Sequence, residues 1–288
     1  MAEIQSWAPL SRRDAGLPTD DTLYDEVPSH LAGPLGSWAQ RFDEALRRSL
    51  AHGTDDGGRA VEKWWTGLLL RLRMEENTFE NRPASDQLDL IDAILRWCPA
   101  SDTGLLRHID ALDELLLLGG SAWCVRSSLD GLERRLDPTV TMAARTAVEA
   151  SAGDAGQHLA AAWIAAYGRH PDPDKVMNES IRAIEAVACP LVEPARATRG
   201  KATLGTVIGE LRNSGHRWEL ALPGPEGAPA DVSAVVAMLG LLWQSQLSRH
   251  AGAPKSRRQE QPEAEAAVHL AAALVHWLQS GVLRRKAP

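Results

Sequence analysis

The chain has 288 residues, 44% of them apolar, enough for two domains or one large all-helical one. Three cysteines (Cys98, Cys124, Cys189), an odd number without C-x-x-C spacing, argue against a disulfide framework or a structural zinc site and fit a reducing cytoplasm. The N-terminus lacks the apolar stretch of a signal peptide, and no apolar run reaches the roughly 18 to 20 residues of a membrane span, so a soluble cytoplasmic protein is expected.

The net charge of −7 is unevenly placed: residues 1–154 carry 16 Lys/Arg against 26 Asp/Glu, residues 155–288 carry 15 against 12. Such a bias admits a nucleic-acid face on the second half, or is incidental. Ten Trp but only two Phe and two Tyr leave Trp, Leu, Val and Ala to build the core.

In chain order, residues 1–21 are polar and Pro/Gly-punctuated and read as a loose arm. A helix is expected from about Pro28, broken or kinked at Pro34 and Gly36. A second spans "GRAVEKWWTGLLLRLRM", where Trp65, Leu68, Leu69 and Leu72 recur at the spacing of a buried stripe. "SDQLDLIDAILRWC" and "TGLLRHIDALDELLLLGG" are further helices, followed by "SAWCVR", a strand or a buried turn. Helices near 138–152 and 155–168 close the first half, and the small residues of 150–157 mark a weak boundary. The expected organisation is therefore an arm (1–21), a helical N-terminal domain (22–154) and a helical bundle (155–288).

In the second half, "PDPDKVMNESIRAIEAVACPLVEP" is a helix entered through Pro/Asp caps and ended by Pro190 or Pro194. "ATLGTVIGELRNSG" is a shorter one, and "HRWELAL" is the only other strand candidate. "ADVSAVVAMLGLLWQSQLSRH" and "PEAEAAVHLAAALVHWLQSG" are long apolar helices, expected to pair antiparallel. The fold class is mostly α.

At about 100° per residue, Val232, Val236, Leu239, Leu242 and Trp243 share one face of the 231–250 helix; Gln246 and His250 fall on it, with Arg249 at its edge. An apolar face that turns polar in its last turns needs partners for those groups. Either the following loop or water satisfies a capped helix end, or the end of the bundle holds a polar cleft. In such a cleft Arg249 would grip a phosphate and His250 would act as acid or base. Gln246 and the loop residues Lys255, Arg257 and Arg258 would bind substrate.

The order "MNESIRAIEAVACPLV", "ATLGTVIGEL", "MLGLLWQSQLSRHAG" and an Ala-rich last helix resembles the abortive-infection C-terminal domain, within the wider HEPN group of helical bundles. The resemblance covers roughly residues 155–280. It implies a HEPN-like bundle that forms homodimers in bacterial defence, with Glu185 at the family's acidic position and Arg249–His250 at its Arg-polar pair. Active members of the group resemble metal-independent ribonucleases, which use no cofactor and place a His about four to six residues beyond the Arg. Here Pro254, Lys255, Ser256 and Arg257 stand in that interval. Three readings follow: His250 takes the role, His269 approaches from the last helix, or the nuclease is lost and the bundle serves as a dimerisation, RNA-binding or protein-partner module. "RNSGH" (Arg212 to His216) mimics the missing motif, but a Gly-terminated helix explains it. His269 and His276 lie about 10.5 Å apart on one face, too far for one metal. No Gly-rich phosphate loop, H-E-x-x-H or nucleophile elbow is present.

Overall fold

The computed structural model describes residues 23–51, 56–99, 103–151, 153–224, 227–247 and 256–286. Among them are eleven α-helices and four three-residue strands, so the protein is mostly helical as its periodicities require. It divides into two units at Arg135/Leu136. None of the helices is long and apolar enough to cross a membrane.

The first unit contains α1 (Ser29–Ala51), α2 (Asp56–Leu72), a 3-10 turn (Phe79–Asn81), α3 (Ala84–Trp97), α4 (Thr103–Leu118) and a hairpin of β1 (Trp123–Val125) and β2 (Leu132–Arg134). Leu35, Trp38, Phe42 and Leu46 of α1 form a fully buried stripe against Leu68 of α2, Ile91 and Ile94 of α3 and Leu112 and Leu116 of α4. Each such side chain contributes about 1.5–3 kcal/mol by leaving water. Trp38 also donates from Nε1 to the His108 carbonyl at 2.7 Å, tying α1 to α4.

Of the break or kink expected at Pro34 and Gly36, the break does not occur: α1 runs through both residues. Pro34 sits in the second turn, where it removes one backbone donor, and the buried stripe on either side holds the helix together. Gly36 has a different role: a Cβ there would collide with the Glu80 carboxylate, so the loop after α2 lies directly over α1. In the stripe expected on α2, Leu68 is buried while Trp65, Leu69 and Leu72 are only half-buried.

The second unit contains α5 (Pro138–Ala150), α6 (Asp154–Tyr167), α7 (Pro173–Val192), the single turn α8 (Pro194–Ala197), α9 (Leu204–Asn213), β3 (Trp218–Leu220), α10 (Ser233–Ser245), α11 (Gln261–Gln279) and β4 (Leu283–Arg285). Helices α6, α7 and α11 make its centre, with α5 packed on α6 and α11. Alanines on all three, among them Ala162, Ala166, Ala183, Ala188, Ala267 and Ala271, are buried where these helices meet. The small-residue cluster at 150–157 thus joins α5 to α6 inside this unit. A Cβ on Gly156 would sit 2.9 Å from the Val148 carbonyl oxygen, so small size serves close packing there.

The expected pairing of the 231–250 helix with the last one is corrected. Helix α10 docks mainly on α9, while α11 lies chiefly on α7. Two sequence features account for this. Gly205 leaves room for the Trp243 indole, whose Cζ2 a Cβ would approach to 2.7 Å, and the alanine face of α11 suits its close packing with α6 and α7. Strand "WEL" does form, and its partner is the C-terminal "LRR". The basic tail is therefore part of a ribbon: Arg284 pairs with Glu219 at 2.9 Å and Arg285 lies over the Trp218 ring at 5.1 Å.

Candidate functional site

The polar residues at the end of the bundle are expected on a helix reaching His250. Helix α10 ends earlier, at Ser245, and Gln246 has left helical geometry with ψ 78°. Its side chain therefore does not extend the apolar stripe. Gln246 Nε2 donates to Asn178 Oδ1 on α7 at 2.5 Å, and the Leu247 N–H donates to Gln259 Oε1 at 3.0 Å. Gln259, itself buried, donates from its backbone to Asp174 Oδ1 at 3.0 Å. The following loop and the start of α7 thus receive this chain end.

Arg257 forks onto Glu263, with a second carboxylate, Glu260, at 3.6 Å. That fork holds the Glu263 carboxyl below the usual carboxylate range, aided by the Glu260 N–H. Arg258 is exposed on the same loop. Arg249, His250 and Lys255 lie outside the described residues.

Glu185 stands midway along α7, half-buried, and accepts the Leu204 N–H at 2.7 Å. It supplements the Thr203–Thr206 capping box at the start of α9, while Glu193 holds the Thr206 hydroxyl and Arg196. Each residue of "TLG" thereby has a structural role, since Thr203 caps, Leu204 is buried and Gly205 accommodates Trp243. Cys189 lies between the two glutamates; burial first, then Glu185 and Glu193, pushes its thiol up to about 11.

The "RNSGH" segment is the end of α9 followed by a 3-10 turn over Gly215–Arg217, as a terminated helix requires. His269 is exposed, hydrogen-bonded through Nε2 to the Tyr167 hydroxyl at 2.7 Å and edge-on to Trp163. Burial, with Glu265 nearby, pushes the Tyr167 phenol up to about 12. His276 is exposed on the same helix. Among the described residues no group of three His, Cys, Asp or Glu is placed to hold a metal, and the three cysteines form no disulfide.

The feature that periodicity did not reveal is in the first unit. A cleft of about 730 Å³ lies between α1, α2 and the loop 74–82. Its walls are Trp65, Leu69, Leu70, Met74 and Phe79; Leu70 is 73% exposed. Five carboxylates line it (Asp43, Glu44, Glu62, Glu76, Glu80) against two cations, Arg47 and Arg82. Asp43 is committed: it accepts Arg47 Nε at 2.8 Å and Trp65 Nε1 at 2.6 Å, fixing the indole. Arg82, which is buried, donates to the Glu75 and Asn77 carbonyls, both at 3.0 Å, and pins the loop over α1. Ala39, Gln40, Asp43, Glu44 and Arg47 of α1, like Trp65 and Leu69 of α2, recur at three-and-four spacing, so the sequence carries the two helix faces of the cleft and not the loop that meets them. Its volume falls in the range of ligand-binding clefts. No protein-family model, curated protein or solved structure matches the chain.

Proposed function

We propose that the protein is a non-catalytic binding module. Its first unit takes a basic, partly apolar segment of a protein partner, and its second unit is a HEPN-like bundle of the kind found in bacterial defence proteins. The observation that carries this reading is the cleft of about 730 Å³, with an indole and leucines as walls and five carboxylates against two arginines. Such a lining attracts cationic side chains and gives their aliphatic stems apolar surface to cover. The bundle resemblance rests on the order of "MNESIRAIEAVACPLV", "ATLGTVIGEL" and "MLGLLWQSQLSRHAG".

Peptide display on the purified full chain tests the cleft. Selected peptides are expected to carry Lys or Arg beside apolar residues, and to be lost with Glu62→Arg or Leu70→Glu. Selection of acidic peptides, or retention by both variants, refutes it.

The competing ribonuclease reading rests on Arg249 and His250, with Glu185 orienting the arginine. In the present proposal Glu185 serves α9, where it holds the Leu204 N–H. Incubation with end-labelled RNA in EDTA separates the two. Cleavage to cyclic-phosphate ends, lost in both Arg249→Ala and His250→Ala, would overturn the non-catalytic assignment. Sedimentation of the same samples tests the homodimer that the resemblance implies.

A further inference from the structure

We propose that a second pocket of the first unit, formed by Arg48 and Ser49 of α1 with Gly104, Arg107 and His108 of α4, binds the phosphoryl group of a small phosphate ester or diphosphate. This pocket is separate from the acidic cleft. The faces of α1 explain why: positions 36, 39, 40, 43, 44 and 47 line the cleft, 35, 38, 42 and 46 are buried, and 41, 45, 48 and 49 point elsewhere. The volume is about 260 Å³, suited to a compact anionic group more than to a whole cofactor.

Three observations converge on an anion. First, the charged side chains around the pocket are positive. Arg48 and Arg107 line it and Arg41 is nearby on α1, in a unit that is acidic as a whole. Among the described residues none of the three arginines makes an ion pair; Arg48 Nε donates only to the Glu44 carbonyl, at 3.2 Å. Like charges gathered this closely repel, and a bound anion relieves that repulsion. Secondly, Gly104, Arg107 and His108 occupy the first two turns of α4, a helix of 16 residues, so the positive end of its dipole adds to the same field. Thirdly, the two helices that form the pocket are joined beside it: the Trp38 indole donates to the His108 carbonyl at 2.7 Å, and the Phe42 ring lies edge-on to the imidazole at 6.4 Å.

His108 fits this arrangement. Burial first, then Arg107, Arg48 and Arg41, holds its ring below the usual histidine range. These arginines, two from α1 and one from its own helix, are the charged groups acting on it among the described residues. A bound anion reverses their effect, so anion binding and His108 protonation reinforce each other.

Titration calorimetry of the full chain with inorganic pyrophosphate tests the proposal. Binding is expected, with Arg48→Gln and Arg107→Gln each weakening it at least about tenfold, as loss of a charge-assisted donor requires. Arg196→Gln in the second unit leaves affinity unchanged. Sulfate, which does not titrate in this range, binds more tightly at pH 6 than at pH 8, and His108→Gln removes that dependence. Near-native thermal midpoints for these variants show that folding is intact. The proposal falls if pyrophosphate does not bind at millimolar concentration, or if both arginine variants bind it like the parent. It also falls if a single-stranded RNA oligonucleotide binds through Arg48 and Arg107 and pyrophosphate fails to displace it.

Discussion

Glu185 is where a structural and a catalytic role make opposite predictions. Its carboxylate meets the Leu204 N–H at 2.7 Å, and Leu204 is fully buried, so water is poorly placed to replace the lost acceptor in Glu185→Ala. A hydrogen bond to a charged group contributes about 1.5–3 kcal/mol; Glu185 is half-buried, which favours the lower end, and the Thr203–Thr206 box continues to cap the helix. The expected loss is therefore about 1.5–2 kcal/mol. In a unit of about 150 residues each kcal/mol moves Tm by about 2–4 °C, so Glu185→Ala should lower the midpoint by about 3–8 °C. Glu185→Gln keeps an oxygen on the amide and loses only the charge at the helix start, about 0.5–1 kcal/mol. Calorimetry of the full chain, with unfolding of the two units fitted separately, gives both numbers. An unchanged midpoint in Glu185→Ala would refute the capping role, and loss of an RNA-cleaving activity at that unchanged stability would reinstate the catalytic one.

Gly205→Ala forces the Trp243 indole away from α9 and should destabilise the second unit by about 1–3 kcal/mol; Trp243→Leu in the same chain should recover part of that loss, measured by urea unfolding. Burial raises the Asp130 carboxyl, but the Ser128 hydroxyl, Arg126 and Arg96 more than reverse this, leaving it below the usual carboxylate range. Its folded pKa is depressed, so its contribution is present above the ordinary value and lost as pH falls toward the folded one; Asp130→Asn should flatten the acid limb of first-unit stability, followed by denaturation midpoints between pH 6 and 3. Burial, only partly offset by Arg135, pushes the Cys124 thiol up to about 11, and Cys189 is raised to the same level. At pH 8 about one thiol in a thousand is then ionised, so both should react with iodoacetamide far more slowly than a free cysteine, and mass spectrometry of each peptide checks this.

The elements themselves were largely legible. Asp172 and Pro173 announce the start of α7, Pro262 that of α11, and Pro194 follows the end of α7, because caps and proline act on the backbone within a few residues. The two strand candidates are strands, although their partners, "LER" and "LRR", carry no apolar alternation of their own and become strands by pairing. Pro34 does not end α1, since whether a helix continues past a proline depends on the burial of its neighbours.

The sites were less legible. Glu185 and the Leu204 amide are 19 residues apart, and the acidic cleft needs the loop 74–82, held by Arg82, to lie over Gly36 of α1. The Arg48–Arg107 pocket likewise needs α1 and α4 to be neighbours, which "RFDEALRRS" and "TGLLRHID" do not reveal separately. Sequence by itself determined the mostly helical class, the main helix spans and the apolar faces, because these follow from period and local backbone chemistry. Only the tertiary structure decided which polar residues meet, because that depends on close approach between segments distant in the chain, here set by glycines, alanines and one buried arginine.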